Sequence, residues 1–342
     1  MKRILYVHPR KASFIELDCE LLAERWEVVD WYQPGRWANP LKVGAATRRC
    51  DAVVGWWASW HTFWPFTLAP LLGKPSLLIV GGFDIADEPA IGYGYQQGGA
   101  RKHLSRWIIR RATRLMTNSE YSRGEFLRNV GTPRQPLDVV HHGVPDPFGA
   151  LRDGPRERLA VTVGMVDTAN LERKGLRAFV EAAALLPDVD FVVVGKWIDE
   201  AADRLVALAI PNVRLAGFVS DEDLHDLYAR AAVYVQASQH EGFGVSVAEA
   251  MLGGCVPVAT RRGALPEVVG DAGILLDSRE APAVAEGIRA ALALDAGAPG
   301  RARDRILSEF PVQVRRRGLH DLVGRLLDGG DGGGGDGDGD GT

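Results

Sequence analysis

Cysteine is scarce in this sequence. Its three, Cys19, Cys50 and Cys255, lie far apart in 342 residues. Neither a disulfide framework nor a C-x-x-C metal site can be read from them, and a reducing, cytoplasmic compartment is expected. No uninterrupted apolar run approaches the ~18 residues of a membrane span, and the opening Met1–Pro9 stretch is too short in apolar residues for a secretion signal. The dinucleotide fingerprint G-x-G-x-x-G is missing after the first strand candidate, where the chain reads His8-Pro-Arg-Lys-Ala-Ser13; Gly92-Tyr-Gly94 falls in a loop instead. Nicotinamide or flavin chemistry is disfavoured on that ground, and no cofactor is expected. Neither sign of charge dominates: 40 Lys+Arg stand against 44 Asp+Glu. Without a basic excess or a recognition motif, a nucleic-acid partner is disfavoured.

What is present is the balance of a folded protein, with 46% hydrophobic and 25% charged residues. The length suits two domains. Residues 1–150 carry 19 Lys+Arg against 14 Asp+Glu, and the remainder 21 against 30, so the first half is the one expected to meet an anionic partner.

Short β-branched runs alternate with helical-period segments along most of the chain, which predicts an α/β protein of doubly wound parallel sheets. The first half has strand candidates at Arg3–Val7, Trp26–Trp31, Ala52–Gly55, Ser76–Val80, Leu115–Asn118 and Leu137–His141. The second has them at Leu159–Met165, Asp190–Gly195, Val213–Ala216, Val233–Gln236, Val256–Ala259 and Gly273–Leu276. Between the halves, Gly143-Val-Pro-Asp-Pro-Phe-Gly149 and Asp153-Gly-Pro155 can continue neither helix nor central strand, and read as a linker. The division is therefore 1–147 and 148–327, followed by a Gly/Asp tail, 328–342, with no apolar group to bury and expected to be disordered. Asp336, Asp338, Asp340 and Gly341 match the opening of a calcium loop, but its closing glutamate is missing, so no metal site is expected.

The informative block is His240-Glu-Gly-Phe-Gly-Val-Ser-Val-Ala-Glu249, followed by a short helix and a strand. Gly242 and Gly244 let backbone approach a ligand, and the helix start beyond them offers unpaired N–H groups to phosphate. Glu241 and Glu249 can accept hydroxyl groups on either side, the layout of a sugar nucleotide. Spacing alone carries little, since Glu16 and Glu24 are also eight apart, and Ser246-x-x-Glu249 is also a capping box.

The block resembles the E-x7-E signature of the retaining, nucleotide-sugar-dependent glycosyltransferases of family four (group 1), which have the GT-B fold. Val163-Gly164 with Glu172-Arg-Lys-Gly-Leu176 is similar to the family's donor-phosphate segment, Asp190–Gly195 to its next strand and Gly217-Phe-Val-Ser-Asp221 to its base-flanking loop. Thr260–Glu267 and Gly270-Asp-Ala-Gly273 resemble the family's segments C-terminal to the signature; Thr117–Arg123 and His142-Gly-Val144 match less specific landmarks. The resemblance covers most of 1–325, strongly in the second half.

It implies two Rossmann-like domains facing a cleft, acceptor side first and donor side second, with the C-terminal helix packing back toward the first. Glu241, Lys174 and Arg173 would be catalytic. Gly164, Gly195, Phe218, Gly242, Phe243, Gly244 and Glu249 would bind the donor, a UDP- or GDP-sugar, without metal. In relatives an arginine commonly follows the Val-Gly, where this chain has Met165, so Arg173 would take over that charge. A histidine of relatives is replaced by Gly81 in Val80-Gly-Gly-Phe-Asp84. On the acceptor side His61, Asp84 and Trp60 are the candidates.

Two surface features stand apart. Trp56, Trp60 and Trp64 recur at helical spacing, a stripe that reads as core or as a sugar-stacking surface. Residues 101–114 hold six Lys/Arg and no acid, which reads as a solvated face or as peripheral contact with the inner face of a membrane and a lipid-linked acceptor. Besides transfer to a glycan or lipid-linked acceptor, two activities stay open: sugar-nucleotide epimerisation and non-catalytic sugar-nucleotide or glycan binding.

Overall fold

The computed structural model describes residues 1–36, 38–208 and 210–329. It contains two six-stranded parallel sheets. The first is built from β1 (Arg3–His8), β2 (Glu27–Tyr32), β3 (Ala52–Trp56), β4 (Ser76–Ile79), β5 (Arg114–Thr117) and β6 (Leu137–Val139), in the order β2-β1-β3-β4-β5-β6. The second comprises β7 (Glu157–Val163), β8 (Asp190–Val194), β9 (Val213–Gly217), β10 (Ala231–Gln236), β11 (Val256–Thr260) and β12 (Ile274–Leu276), in the order β12-β11-β10-β7-β8-β9. Every predicted strand is present within two residues at either end.

The strands read as continuous apolar runs because both faces are covered. In β1, Ile4 and Tyr6 enter one core while Leu5 and Val7 enter the other. The sheet orders fix where a ligand can sit. From β1 the chain goes out to β2 and returns to β3 on the other side; from β7 it goes out through β8 and β9 and returns to β10. At such switch points the connections diverge, and a crevice opens at the carboxyl ends of the strands.

The last helix, Val312–Asp328, returns to the first sheet. Its Leu319, Leu322, Val323 and Leu326 join the core that holds Ile4, Tyr6 and Val54. The linker meets the approach to this helix directly, Val144 N–H donating to the Phe310 carbonyl at 2.9 Å. Inside this junction Arg315 and Asp18 form a fully buried pair, with bonds of 2.8 and 2.6 Å, and Arg315 also donates to the Val140 carbonyl at 2.7 Å. Asp328, expected at the start of the tail, is the last helical residue, and Gly329 caps the helix. The rest of the expected tail, with its calcium-loop-like run, lies outside the described residues.

Candidate active site

A cavity of about 640 Å³ separates the two sheets. Its walls are the segments that leave the strands flanking each switch point. Arg10, Lys11 and Phe14 follow β1, and Trp56 and Trp57 end and follow β3. Gly164 and Met165 follow β7, and His240–Gly244 follow β10.

The predicted donor residues converge here, with exceptions. Lys174 Nζ lies 3.1 Å from Glu241 Oε2, both side chains mostly buried. Burial pushes the Glu241 carboxyl up, but the charges of Lys174 and Arg173 outweigh it and hold the group below the usual range, hence ionised. The main chain at Glu241 is fixed by Ala264 N–H, which donates to its carbonyl at 2.9 Å. Gly263 makes this possible: its φ is +61°, and a Cβ there would collide with the Glu241 carbonyl oxygen. Gly195 acts similarly from a layer behind the wall. It does not line the cavity, but a Cβ on it would strike the Gly164 carbonyl.

Arg173 donates twice to Asn170 Oδ1, at 3.1 and 2.6 Å, and Asn170 in turn donates to the Met165 carbonyl at 3.0 Å. The guanidinium is thereby held beside Met165, where a substitute charge is expected. Gly242, Phe243 and Gly244 turn the chain into the helix Val245–Leu252, capped by Gly244 in left-handed backbone. The capping-box reading of Ser246-x-x-Glu249 is corrected: the helix starts before Ser246, whose hydroxyl accepts from Tyr234 at 3.0 Å. Glu249 is thus uncommitted and faces the cavity. Burial, reinforced by Asp221, pushes its pKa up to about 7, so it can donate as well as accept hydrogen bonds near neutrality. Phe218 is the donor-side exception: it is 80% exposed and lies outside the cavity wall.

The acceptor-side candidates are not in the cleft. His61 is buried with Nε2 2.6 Å from the Trp56 carbonyl, and burial lowers its pKa to about 4, so it is a neutral core residue. Asp84 accepts from Ala58 N–H at 3.0 Å and Gly81 N–H at 3.1 Å, bracing the turns after β3 and β4. Burial raises its pKa to about 7. Trp60 packs at the edge of the first core, with the Arg36 guanidinium 5.5 Å from its ring. The tryptophan stripe is no single helix face: Trp56 ends β3, Trp57 lies in the turn, and the helix begins at Trp60.

Four residues that sequence reasoning did not assign to the site complete the first-lobe wall. Arg10 stands 4.7 Å over the Trp57 ring. The Tyr93 ring lies beneath Arg173 at 5.1 Å, and its hydroxyl is 3.3 Å from where a Cβ on Gly82 would be. His142 stacks on Trp56 at 5.8 Å and is kept neutral by burial. The usable signals were cations after β1 in place of glycines, and Tyr93 within a loop read only for its glycines.

The lobes also touch around the cleft, which gives two of the family landmarks a physical role. Ser119 and Ser122 hydroxyls donate to the Gly242 carbonyl at 2.8 and 3.2 Å. The Glu267 carboxylate accepts the N–H groups of Glu120 and Tyr121, at 3.0 and 3.2 Å, at a helix start of the opposite lobe. His240 Nε2 meets Glu125 Oε1 at 2.8 Å, both fully enclosed. In residues 101–114 the basic face is smaller than its composition suggests: Arg114 is buried against Asp138, and Arg106 donates inward to Gln96 and Asn129. Arg101 and Arg110 are exposed and Lys102 and Arg111 half-buried, with Arg111 over the exposed Trp107 ring at 3.3 Å.

A cavity with cations and a helix start from one lobe, ionised and near-neutral carboxyls beside them, and aromatic walls opposite suits a phosphorylated, hydroxyl-rich ligand. Residues 157–293 match the family model Glycosyl transferases group 1. Over these residues the chain is similar to the group 1 glycosyltransferases. It is 30% identical to O-antigen chain mannosyltransferase B of Escherichia coli over 50% of this chain and 49% of that protein. Against D-inositol 3-phosphate glycosyltransferase of Mycolicibacterium gilvum the identity is 29%, over 80% and 58% of the two chains. The chain thus spans about half the length of the curated relatives it matches. Its fold matches sucrose-phosphate synthase of Thermosynechococcus elongatus with a TM-score of 0.76 at 18% identity, covering 96% of this chain and 100% of the other. HepE of Anabaena, solved in complex with UDP and glucose, gives 0.75 at 16% identity over 95% and 99%. The chain has the GT-B fold.

No described helix is long and apolar enough to cross a membrane.

Proposed function

We propose that this protein is a group 1 glycosyltransferase that transfers a hexosyl group from a UDP- or GDP-sugar to a glycan or lipid-linked acceptor, with retention of anomeric configuration. The observation that carries the reading is the Lys174–Glu241 pair, set at the carboxyl ends of β7 and β10 and open to the cleft. Lys174 and Arg173 neutralise the diphosphate as it leaves, aided by N–H groups at the start of Val245–Leu252. Glu241 accepts hydroxyls of the donor sugar and Glu249 those of the ribose. The acceptor attacks on the face the diphosphate leaves, and a phosphate oxygen takes its proton. Closure of the lobes excludes water that would otherwise hydrolyse the donor. Fixed cations carry the charge here: of the D-x-D triplets ahead of the tail, Asp188-Val-Asp190 has Asp188 paired with Arg158, and Asp221-Glu-Asp223 opens a helix. That relatives bear the names of mannosyl transfer supports a hexose as the group moved.

A thermal-shift panel of uridine, guanosine and adenosine diphosphates and their sugars tests the binding step. One base is expected to stabilise the chain by about 2.7 kcal/mol at a hundredfold excess over Kd. Product analysis then separates the activities. Transfer needs acceptor; an epimer formed from donor alone indicates epimerisation; tight binding with neither transfer nor hydrolysis indicates a binding protein.

Arg101, Arg110 and Trp107, which are exposed, with the half-buried Lys102 and Arg111, form a peripheral membrane contact that brings the protein to a lipid-linked acceptor. Sedimentation with anionic liposomes at low salt, and not with neutral ones, is expected; no pelleting with anionic lipid at any salt ends the idea.

A further inference from the structure

We infer that Arg10, standing on Trp57, is a first-lobe subsite for a phosphate group of the bound substrates. The inference rests on the transfer reading above and adds a cation from the opposite lobe. Arg10 lies two residues past the end of β1, at the switch point of the first sheet. Its side chain makes no hydrogen bond or ion pair with any described residue; its contacts are the rings of Trp57 at 4.7 Å and Phe14 at 5.9 Å. Stacking occupies the face of a guanidinium and leaves its five N–H donors for another partner. Among the described residues none is supplied: Tyr93 stands nearby without a hydrogen bond to it, the Glu241 carboxylate across the cleft is taken by Lys174, and Arg173 adds a like charge.

The platform is itself unusual. Trp57 is the one non-glycine among the described residues with positive φ, at +60°. That backbone is disfavoured for a bulky side chain and persists where surroundings enforce it. Here Trp57 N–H donates to the Ile79 carbonyl and its indole N–H to the Gly81 carbonyl, each at 2.7 Å. A strained, doubly anchored ring thus carries an unpaired, fork-shaped donor over a cavity whose other wall holds Arg173 and Lys174. Phosphate oxygens match that fork, and they have two sources: the donor's diphosphate or a phosphate on the acceptor.

The test uses the full chain and Arg10→Ala and Arg10→Lys variants, both at an exposed position. Calorimetry measures pyrophosphate, the nucleoside diphosphate selected by thermal shift, and its nucleoside; steady-state kinetics measures KM for donor and acceptor. If the phosphate is the donor's, Arg10→Ala weakens nucleoside diphosphate and pyrophosphate at least tenfold, leaves the nucleoside within twofold, and Arg10→Lys recovers some of the loss. If it is the acceptor's, donor binding is unchanged and acceptor KM rises at least tenfold. Unchanged pyrophosphate, nucleotide and acceptor constants overturn the inference. A wild type that binds pyrophosphate through Arg10 but no nucleoside diphosphate overturns the transfer reading alone.

Discussion

Replacing Lys174 by alanine is expected to lower the turnover of sugar transfer by about 10²–10³-fold, the loss typical of removing one preorganised donor to developing charge. The cause is double. The diphosphate loses a fixed cation, and Glu241 loses the partner 3.1 Å away that keeps it ionised while buried. With that charge gone, burial raises the Glu241 carboxyl, so the surviving activity should require higher pH than wild type. Glu241→Gln separates the two effects. It leaves Lys174 for the phosphates but cannot accept sugar hydroxyls as a carboxylate, so binding of the nucleoside diphosphate should persist while the extra contribution of the sugar is lost. Steady-state kinetics across pH, with nucleotide affinity measured in parallel, checks both variants. Wild-type turnover in Lys174→Ala, from every donor tried, would remove the pair from the chemistry.

Replacing Arg315 by alanine is expected to cost about 3–5 kcal/mol of stability, the range for breaking a buried ion pair from one side. Asp18 would be left fully enclosed, and burial already pushes its carboxyl up even with the guanidinium present. The loss reaches the cleft because Arg315 also lies 5.6 Å from the Trp56 ring, on which His142 stacks. Replacing both Asp18 and Arg315 by leucine should recover most of the stability, since no charge is then stranded. Denaturant unfolding of the two singles and the double measures this; additive losses would contradict it.

Fold and site were legible to different degrees for physical reasons. Strands such as Ile4–Val7 and Val192–Val194 are buried on both faces, so their apolar runs stand out without any partner known. The donor wall was legible because it is compact in sequence: Glu241 to Glu249 on one turn and helix, Arg173 and Lys174 on another. The opposite wall was not. Arg10, Trp57, Tyr93 and His142 belong to four separate loops, after β1, β3, β4 and β6, and only the sheet order β2-β1-β3-β4-β5-β6 brings them together. Trp56 and Trp60 were read as one stripe because helical periodicity was carried through Trp57, whose left-handed backbone breaks the phase between strand and helix. His61 was named to stand in for the histidine that Gly81 replaces, and nothing local shows that it is buried against the Trp56 carbonyl. A capping box stayed open as an alternative for Glu249 because nothing local in Ser246-x-x-Glu249 shows that the helix already starts after Gly244.

The most direct test is a crystal structure with the hydrolysis-resistant analogue of whichever sugar nucleotide stabilises the chain most. It should place the diphosphate within hydrogen-bonding distance of Lys174 and the amides after Gly244, the sugar hydroxyls on Glu241 and the ribose on Glu249. A nucleotide bound anywhere else, with Glu241 still closed on Lys174 alone, would contradict the account.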